Sequence, residues 1–437
     1  RYDGSSKFAK DHRYAFFPSV SAAWRISEEN FWQPLKGWWN DMKIRGSYGS
    51  LGNQVMDNLG NFPYLATYGT NSSYNYLING SKPVIVKAPG LVASDFTWET
   101  VTQMDFGFDA SFLNNRLTGT FDWYRRNTKD MLVAGATLPA TLGASVPKSN
   151  SADMKTIGWE LSLGWNDRLE NGFSYWVKGV LSDYQATITK YAGNDAGFYS
   201  QSDGDGKYYV GQKIGEIWGY HSNGLFQSDD EAATIDQSEL YAGKWGAGDV
   251  KYEDLGGGDG KITKGEETIY NPGDKSIIGN KTPRYQFGIT VGFDYKNFDF
   301  EMFWQGTGKR DYMLSGAQFW GFTSQWDVPY TPALDYWTET NTDAYFPRPG
   351  WQNGGNRVTS DRYLQSAAYG RLKNLTVGYT IPKNLTTKWG ISRLRLYVTG
   401  ENLLTITPLN DAFDPETLGG LTYPINRKVA IGLNLTL

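Results

Sequence analysis

Apolar and polar residues alternate with a period of two through most of the chain, while helical periodicity is nearly absent. Ile157, Trp159, Leu161, Leu163 and Trp165 fall on one face, and Gly158, Glu160, Ser162, Gly164 and Asn166 on the other. Phe287, Ile289, Val291, Phe293 and Tyr295 repeat the pattern, as do Val429, Ile431, Leu433, Leu435 and Leu437 at the end. The alternation predicts eleven strands, at 14–27, 42–53, 97–113, 116–132, 155–169, 173–191, 283–296, 298–313, 363–382, 392–406 and 425–437. Most exceed the five or six residues usual in soluble proteins. A tilted strand needs about 9–11 residues to cross a bilayer, which these satisfy.

The connections alternate in length. Short ones fall at 28–41, 114–115, 170–172, 297 and 383–391, and long ones at 54–96, 133–154, 192–282, 314–362 and 407–424. Tight turns at one end and long loops at the other predict an all-β fold, a transmembrane antiparallel β-barrel of the outer membrane. A soluble sandwich or propeller is the alternative. It leaves unexplained why Trp123, Trp159, Trp165, Trp304 and Tyr379 stand on apolar faces near predicted strand ends, where interfacial girdles place aromatics. A propeller also needs a repeat of about 40–50 residues, and none is visible. No apolar run reaches the length of a transmembrane helix. The last strand ends on an apolar position, and running it toward the periplasm puts every long loop outside.

Composition narrows the chemistry. The 437 residues include 51 Gly, 17 Trp, 29 Tyr and 22 Phe, with no Cys and two His. Lacking Cys, the chain has no disulfide, thiolate-zinc site, iron–sulfur cluster or thiol nucleophile. His12 and His221 stand far apart, so histidine chemistry is poorly supplied. A net charge of -4 argues against nucleic acid as a partner. No nucleophile elbow, phosphate loop or dinucleotide fingerprint occurs, and the chain reads as a non-enzyme.

Several ordered motifs carry a resemblance. They are Arg1-Tyr2-Asp3-Gly4-Ser5-Ser6-Lys7-Phe8, Phe16-Phe17-Pro18-Ser19-Val20-Ser21-Ala22-Ala23-Trp24-Arg25-Ile26, Lys43-Ile44-Arg45-Gly46-Ser47-Tyr48-Gly49-Ser50-Leu51-Gly52-Asn53-Gln54 and Trp98-Glu99. Gly219-Tyr220, Gly224-Leu225-Phe226-Gln227, Ile278-Gly279-Asn280, Thr282-Pro283-Arg284-Tyr285, Leu372-Lys373-Asn374-Leu375-Thr376-Val377-Gly378-Tyr379 and Gly400-Glu401-Asn402-Leu403 continue the series. Together they resemble the C-terminal half of a SusC/RagA-type TonB-dependent outer-membrane transporter, over residues 1–437. The resemblance implies the second half of a barrel of about 22 strands whose plug and first strands lie outside this sequence. It also implies active import of a nutrient, with a SusD-like surface lipoprotein as lid and TonB as energy source. Oligosaccharide is the expected cargo and oligopeptide the second choice. A passive porin or a surface receptor without energised transport is the rival reading. Eleven strands alone leave two edges that lipid cannot satisfy.

Three groups of residues are candidates for a site. Trp320, Trp326, Tyr330, Tyr336, Trp337 and Trp351 crowd one external loop with Asp327, Asp335 and Arg348. Such rings suit sugar stacking, a lid interface, or packing of the loop on itself. Tyr64, Tyr68, Tyr74 and Tyr76 are read in the same way. Asp254, Asp259, Thr263 and Glu266 resemble a calcium loop around Gly260, although its first ligand position falls on Leu255; the competing reading is a solvated turn. Asp203-Gly204-Asp205-Gly206 is a weaker version. No other cofactor is expected. Finally, Asp105, Asp109, Asp122, Glu160, Asp294, Glu301 and Glu401, with Arg45, Lys178 and Arg395, should face a wet lumen.

Overall fold

In the computed structural model the long alternating segments form one antiparallel sheet of eleven strands, each hydrogen-bonded to its neighbours in sequence. The structure describes residues 1–437 except 55–60, 72–76, 88, 93–95, 135–138, 140, 142–145, 193, 195–196, 199–207 and 420–422. We number the wall strands β1 (Ser19–Arg25), β2 (Trp39–Asn53), β3 (Glu99–Phe112), β4 (Leu117–Ala134), β5 (Lys148–Arg168) and β6 (Ser174–Tyr191). The remainder are β7 (Arg284–Tyr295), β8 (Phe298–Lys309), β9 (Tyr369–Thr380), β10 (Arg393–Ile406) and β11 (Lys428–Thr436). The sheet is open, with β1 and β11 as its two edges. Among the described residues no helix is long and apolar enough to cross a membrane.

The eleven expected strands are present, with the bounds of several to correct. β1 is shorter than 14–27, because Tyr14–Phe16 turns back to pair with Tyr2–Gly4. β4 and β5 climb further, to Ala134 and from Lys148, so both ends of the loop expected at 133–154 are strand. The expected strands at 298–313 and 363–382 are both split: Asp311–Met313 pairs with Leu364–Ser366, so β8 ends at Lys309 and β9 begins at Tyr369. β11 starts at Lys428.

Pleating sends one face of each strand outward and the other inward. On the apolar face, registers align Ile289 with Trp304, and Val377 with Val398 and then Ile431. The short-turn ends carry an aromatic band. Phe173 stacks against Tyr175 and Phe293 at 5.8 and 5.5 Å, Phe298 meets Tyr379 at 4.7 Å, and Trp39 stacks on Phe112 at 5.0 Å. Trp165 joins this band by donating to Tyr175 Oη at 3.2 Å. Trp123, Trp159 and Trp304 do not. They sit in mid-strand, in the rows Phe106–Trp123–Trp159 and Ile289–Trp304.

The polar face is tied by ion pairs that skip a strand. Arg45 on β2 reaches across Gly107 on β3 to Asp122 on β4, Nη2 to Oδ2 at 2.7 Å, and its Nε lies 3.4 Å from Asp109. A Cβ at residue 107 would sit 2.3 Å from Asp122 Oδ1 and 2.9 Å from Arg45 Cζ, so only glycine leaves the passage open. Arg395 on β10 bonds Asp299 on β8 over Gly378 of β9, with Nε to Oδ1 at 2.8 Å. Two further pairs join adjacent strands, Arg284 with Asp183 at the ends of β7 and β6 and Lys428 with its register partner Glu401. Asp105 accepts from Ser47 Oγ at 2.9 Å. Register puts Glu160 opposite Asp122, Lys178 opposite Thr290, and Asp294 opposite Asp299, with Glu301 two residues further on. The residues expected on the lumen side thus share one face.

Candidate functional site

Three long connections beyond the open ends of β6–β10 fold together into a platform with its own core. Glu216–Tyr220 pairs with Lys275–Asn280, and Ser222–Leu225 with Val250–Tyr252. Buried between them and the later loops are Tyr220, Val250, Tyr252, Phe319, Trp320, Phe346 and Tyr363, with Leu409 and Phe413 from the last loop. Phe319, Trp320, Phe346 and Tyr363 interlock mainly edge to face, with centroids 5.1 Å apart for Phe319–Phe346 and 4.5 Å for Trp320–Tyr363. Tyr252 Oη donates to Gly355 O at 2.7 Å, and complete burial pushes this phenol well above its ordinary pKa.

The aromatic loop divides into two populations. Trp320 is 9% exposed and belongs to this core, with Tyr336 and Trp337 packed against it. Arg348 grips the fully buried Asp249, with Nε to Oδ1 at 2.9 Å and Nη2 to Oδ2 at 2.6 Å. For these four, packing of the loop on itself describes the placement. Trp326 is 83% exposed, and Tyr330 and Trp351 are exposed as well. Arg357 fastens the two exposed segments together: its Nη1 donates to Phe322 O at 3.3 Å and its Nη2 to Trp351 O at 3.0 Å. Asp327 is occupied within the loop. It accepts from the Thr323 and Ser324 amides, both at 2.7 Å, and from Thr323 Oγ1, which hold its carboxyl below its ordinary pKa. Asp335 likewise accepts from Asn341 Nδ2 and the Tyr345 amide. In the tyrosine-rich loop Tyr68 is exposed and Tyr64 half-buried, while Tyr74 and Tyr76 lie outside the described residues.

The acidic glycine loop is organised around backbone amides. Asp254 accepts from Gly257, Gly258 and Gly260 at 3.3, 3.0 and 2.8 Å, which keeps its carboxyl below its ordinary pKa. Asp259 accepts from the Lys261 amide, while Thr263 binds the buried Asp274. Among the described residues no group of three or more His, Asp or Glu side chains is placed to hold a metal ion. Asp254 and Asp259 are thus engaged by the loop's own amides and Thr263 by Asp274, while Glu266 is exposed. Asp203-Gly204-Asp205-Gly206 lies outside the described residues.

One polar cluster had no sequence signal. His221 Nε2 lies 2.7 Å from Ser276 Oγ, and Nδ1 lies 2.8 Å from Asp361 Oδ2. Asp361 Oδ1 accepts from the Ser222 amide at 2.9 Å, and its own amide donates to Tyr220 O at 3.1 Å. The order is that of a nucleophilic relay, but every member here ties one loop segment to another, and the set works as a clasp. Separations of 55 and 140 residues hid it from any local motif.

An open antiparallel wall, polar on one face and apolar on the other, with long loops gathered at one end, is the setting for the comparison with known proteins. The family described as TonB dependent receptor-like, beta-barrel matches residues 1–403. The chain belongs to this family. TonB-dependent receptor P3 of Formosa agariphila is 31% identical over 100% of this chain and 43% of its own length. TonB-dependent receptor SusC of Bacteroides thetaiotaomicron is 27% identical over 100% of this chain and 41% of its own length. The RagAB peptide importer in the closed-closed state superposes with a TM-score of 0.77, at 23% identity, over 99% of this chain and 45% of that one, a likeness of fold. The chain spans under half the length of these relatives, and the sheet of this TonB-dependent receptor barrel segment is open. Family members are outer-membrane receptors and transporters rather than enzymes.

Proposed function

We propose that this chain supplies the C-terminal half of the wall of an outer-membrane importer energised through TonB. In this reading an oligosaccharide is its cargo and a SusD-like lipoprotein its lid. The observation that carries it is the platform itself: a packed external core that holds Trp326, Tyr330 and Trp351 exposed above a charge-lined inner face. Rings in that position suit capture of a ligand or seating of a lid, and the relatives named SusC and RagAB support a transporter built this way. The chain's residues would bind and conduct, and none would do covalent chemistry.

Uptake by cells carrying the full-length protein, with and without TonB, tests the central claim. Accumulation of labelled oligosaccharide should depend on TonB, and accumulation unchanged in its absence would return the protein to the porin class. A Trp326→Ala/Tyr330→Ala/Trp351→Ala variant should keep its wall and its thermal stability, because these rings are outside the core. It should lose about tenfold or more in affinity for ligand or for lid. Pull-down of the lid, measured beside ligand binding, tells the two apart.

A further inference from the structure

The outward faces of β4, β5 and β6 change character abruptly toward the long loops. On β5 the outward residues run Ile157, Trp159, Leu161, Leu163 and Trp165, with Lys155 next toward the loops and Asp167 next toward the short turns. On β4, Phe121 and Trp123 give way to Arg125, Asn127 and Lys129. Ladder pairing sets Asn127 opposite Lys155, Lys155 opposite Thr187, and Thr187 opposite Lys213 in the connection after β6, so these four share one row. Lys155 is thereby a diagonal neighbour of both Arg125 and Lys129, about 7–8 Å away. Lys190 stands one row higher, opposite Asp153. Arg125, Lys129, Lys190 and Lys213 are exposed and Lys155 is half-buried. None of the five forms an ion pair among the described residues, and Arg125 Nε meets Asn127 Oδ1 at 3.4 Å. Asp183, on the same face, is taken by Arg284, and Asp153 accepts from the Asp130 amide at 2.9 Å. With Asp130 in the bulge beside Lys129, the cations outnumber unpaired carboxylates five to two. At the same height β2 and β3 present Ser50, Gly52, Thr100 and Thr102, so the charge is local to β4–β6. At the short-turn rim Asp167 is neutralised by Arg116, at 3.3 Å. Behind the patch, on the inner face, Ala152, Ile188 and Tyr191 pack with Met131 and Met154, so the cations ride on a packed segment.

Uncompensated cations held side by side repel one another and favour an anion. Their position decides which anion. They begin where the apolar band ends, at the level of lipid headgroups, and Trp123 and Trp159 lie immediately below to meet acyl chains. The rim is that of the long loops, which in outer-membrane barrels is the external side. The external leaflet of such a membrane is built of glycolipid with phosphates on its sugars, and phosphate oxygens accept charge-assisted bonds from Lys and Arg. We infer that the outward patch of Arg125, Lys129, Lys155, Lys190 and Lys213 binds the phosphates of an outer-leaflet glycolipid, whose acyl chains lie over Trp123 and Trp159. The inference needs the wall to stand in an outer membrane, and is independent of cargo, lid and TonB.

The test uses the full-length protein in detergent and three probes: phosphorylated lipid A, its dephosphorylated form, and phosphatidylglycerol. Binding is read by native mass spectrometry and by the rise in melting temperature that a ligand of the folded state produces. Arg125→Gln/Lys155→Gln removes two neighbouring cations, and Lys178→Gln removes an exposed cation from the inner face of β6 as the control. Wild type and control should bind phosphorylated lipid A at least tenfold more tightly than either other probe. The double variant should lose about tenfold of that affinity, with its melting temperature unchanged in the absence of lipid. Equal affinity for the two forms of lipid A, or an equal loss in the control, would overturn the site. Phosphatidylglycerol bound as tightly as phosphorylated lipid A would overturn the glycolipid and leave a general anionic surface. Loss of lid binding or of self-association in the double variant, with lipid binding unchanged, would overturn the inference in favour of a protein partner. No arm measures uptake, so failure of lipid binding leaves the import reading standing, and TonB-independent uptake leaves the glycolipid site standing.

Discussion

An Arg348→Ala substitution is expected to loosen the external platform while the eleven-strand wall stays intact. Asp249 is fully buried, and its two oxygens accept from Arg348 at 2.9 and 2.6 Å, from Asn356 Nδ2 at 2.8 Å and from the Gly246 amide at 2.9 Å. Removing the guanidinium leaves a buried carboxylate with neutral donors only, a loss of about 3 kcal/mol. Arg348 is itself partly exposed, which places the cost at the low end of that class. Arg348→Lys keeps the charge but not the two-pronged fit, and should fall between. Hydrogen exchange measured along the full-length protein provides the readout. Amides of 246–252 and 335–363 should exchange faster, with those of β2–β10 unchanged. Unaltered exchange in the first group would mean that the aromatic core alone holds the platform.

The second large effect concerns the wall. Val398 and Thr399 are neighbours at the middle of β10, pointing to opposite faces. Val398 is exposed and aligned with Val377 and Ile431, whereas Thr399 Oγ1 meets Thr376 Oγ1 at 2.9 Å. Val398→Arg puts a charge into the hydrocarbon and should destabilise the barrel in lipid by about 2–4 kcal/mol. Thr399→Arg loses one hydroxyl contact, about 1 kcal/mol, in a wet environment. Urea unfolding of the full-length protein in bilayers measures both. Equal losses at the two positions would contradict the assignment of faces.

The wall was legible in the sequence because a period of two is a local signal. Each strand carries its own record, and the alternation of short and long connections orders them. The errors arose where a strand continues past the membrane or breaks within a loop. Lys148–Ala152 lacks clear alternation yet pairs with β4, and Leu364–Ser366 alternates no less than β9 but belongs to another hairpin. The platform was mostly illegible. Trp320 and Trp326 are six residues apart in one aromatic-rich run, and nothing local separates the buried ring from the exposed one. That distinction comes from Phe346, Tyr363 and Phe413, which arrive from distant parts of the chain. In the calcium-like run the carboxylates of Asp254 and Asp259 accept from turn amides, which any acidic glycine loop offers.

The ion pairs over Gly107 and Gly378 decide something that hydrophobicity leaves open. A strand that slips by one residue turns every side chain to the wrong face and is rejected by the lipid. A slip of two residues restores all faces, so the apolar rows tolerate it. It would, however, carry Asp122 about 7 Å along the strand from Arg45, beyond the reach of the present bond, and bring a side chain in place of Gly107 beneath the guanidinium. Even-numbered misregistration is therefore penalised from the inner face alone. The sparse charges there act as alignment marks for assembly, spaced across three strands at a time.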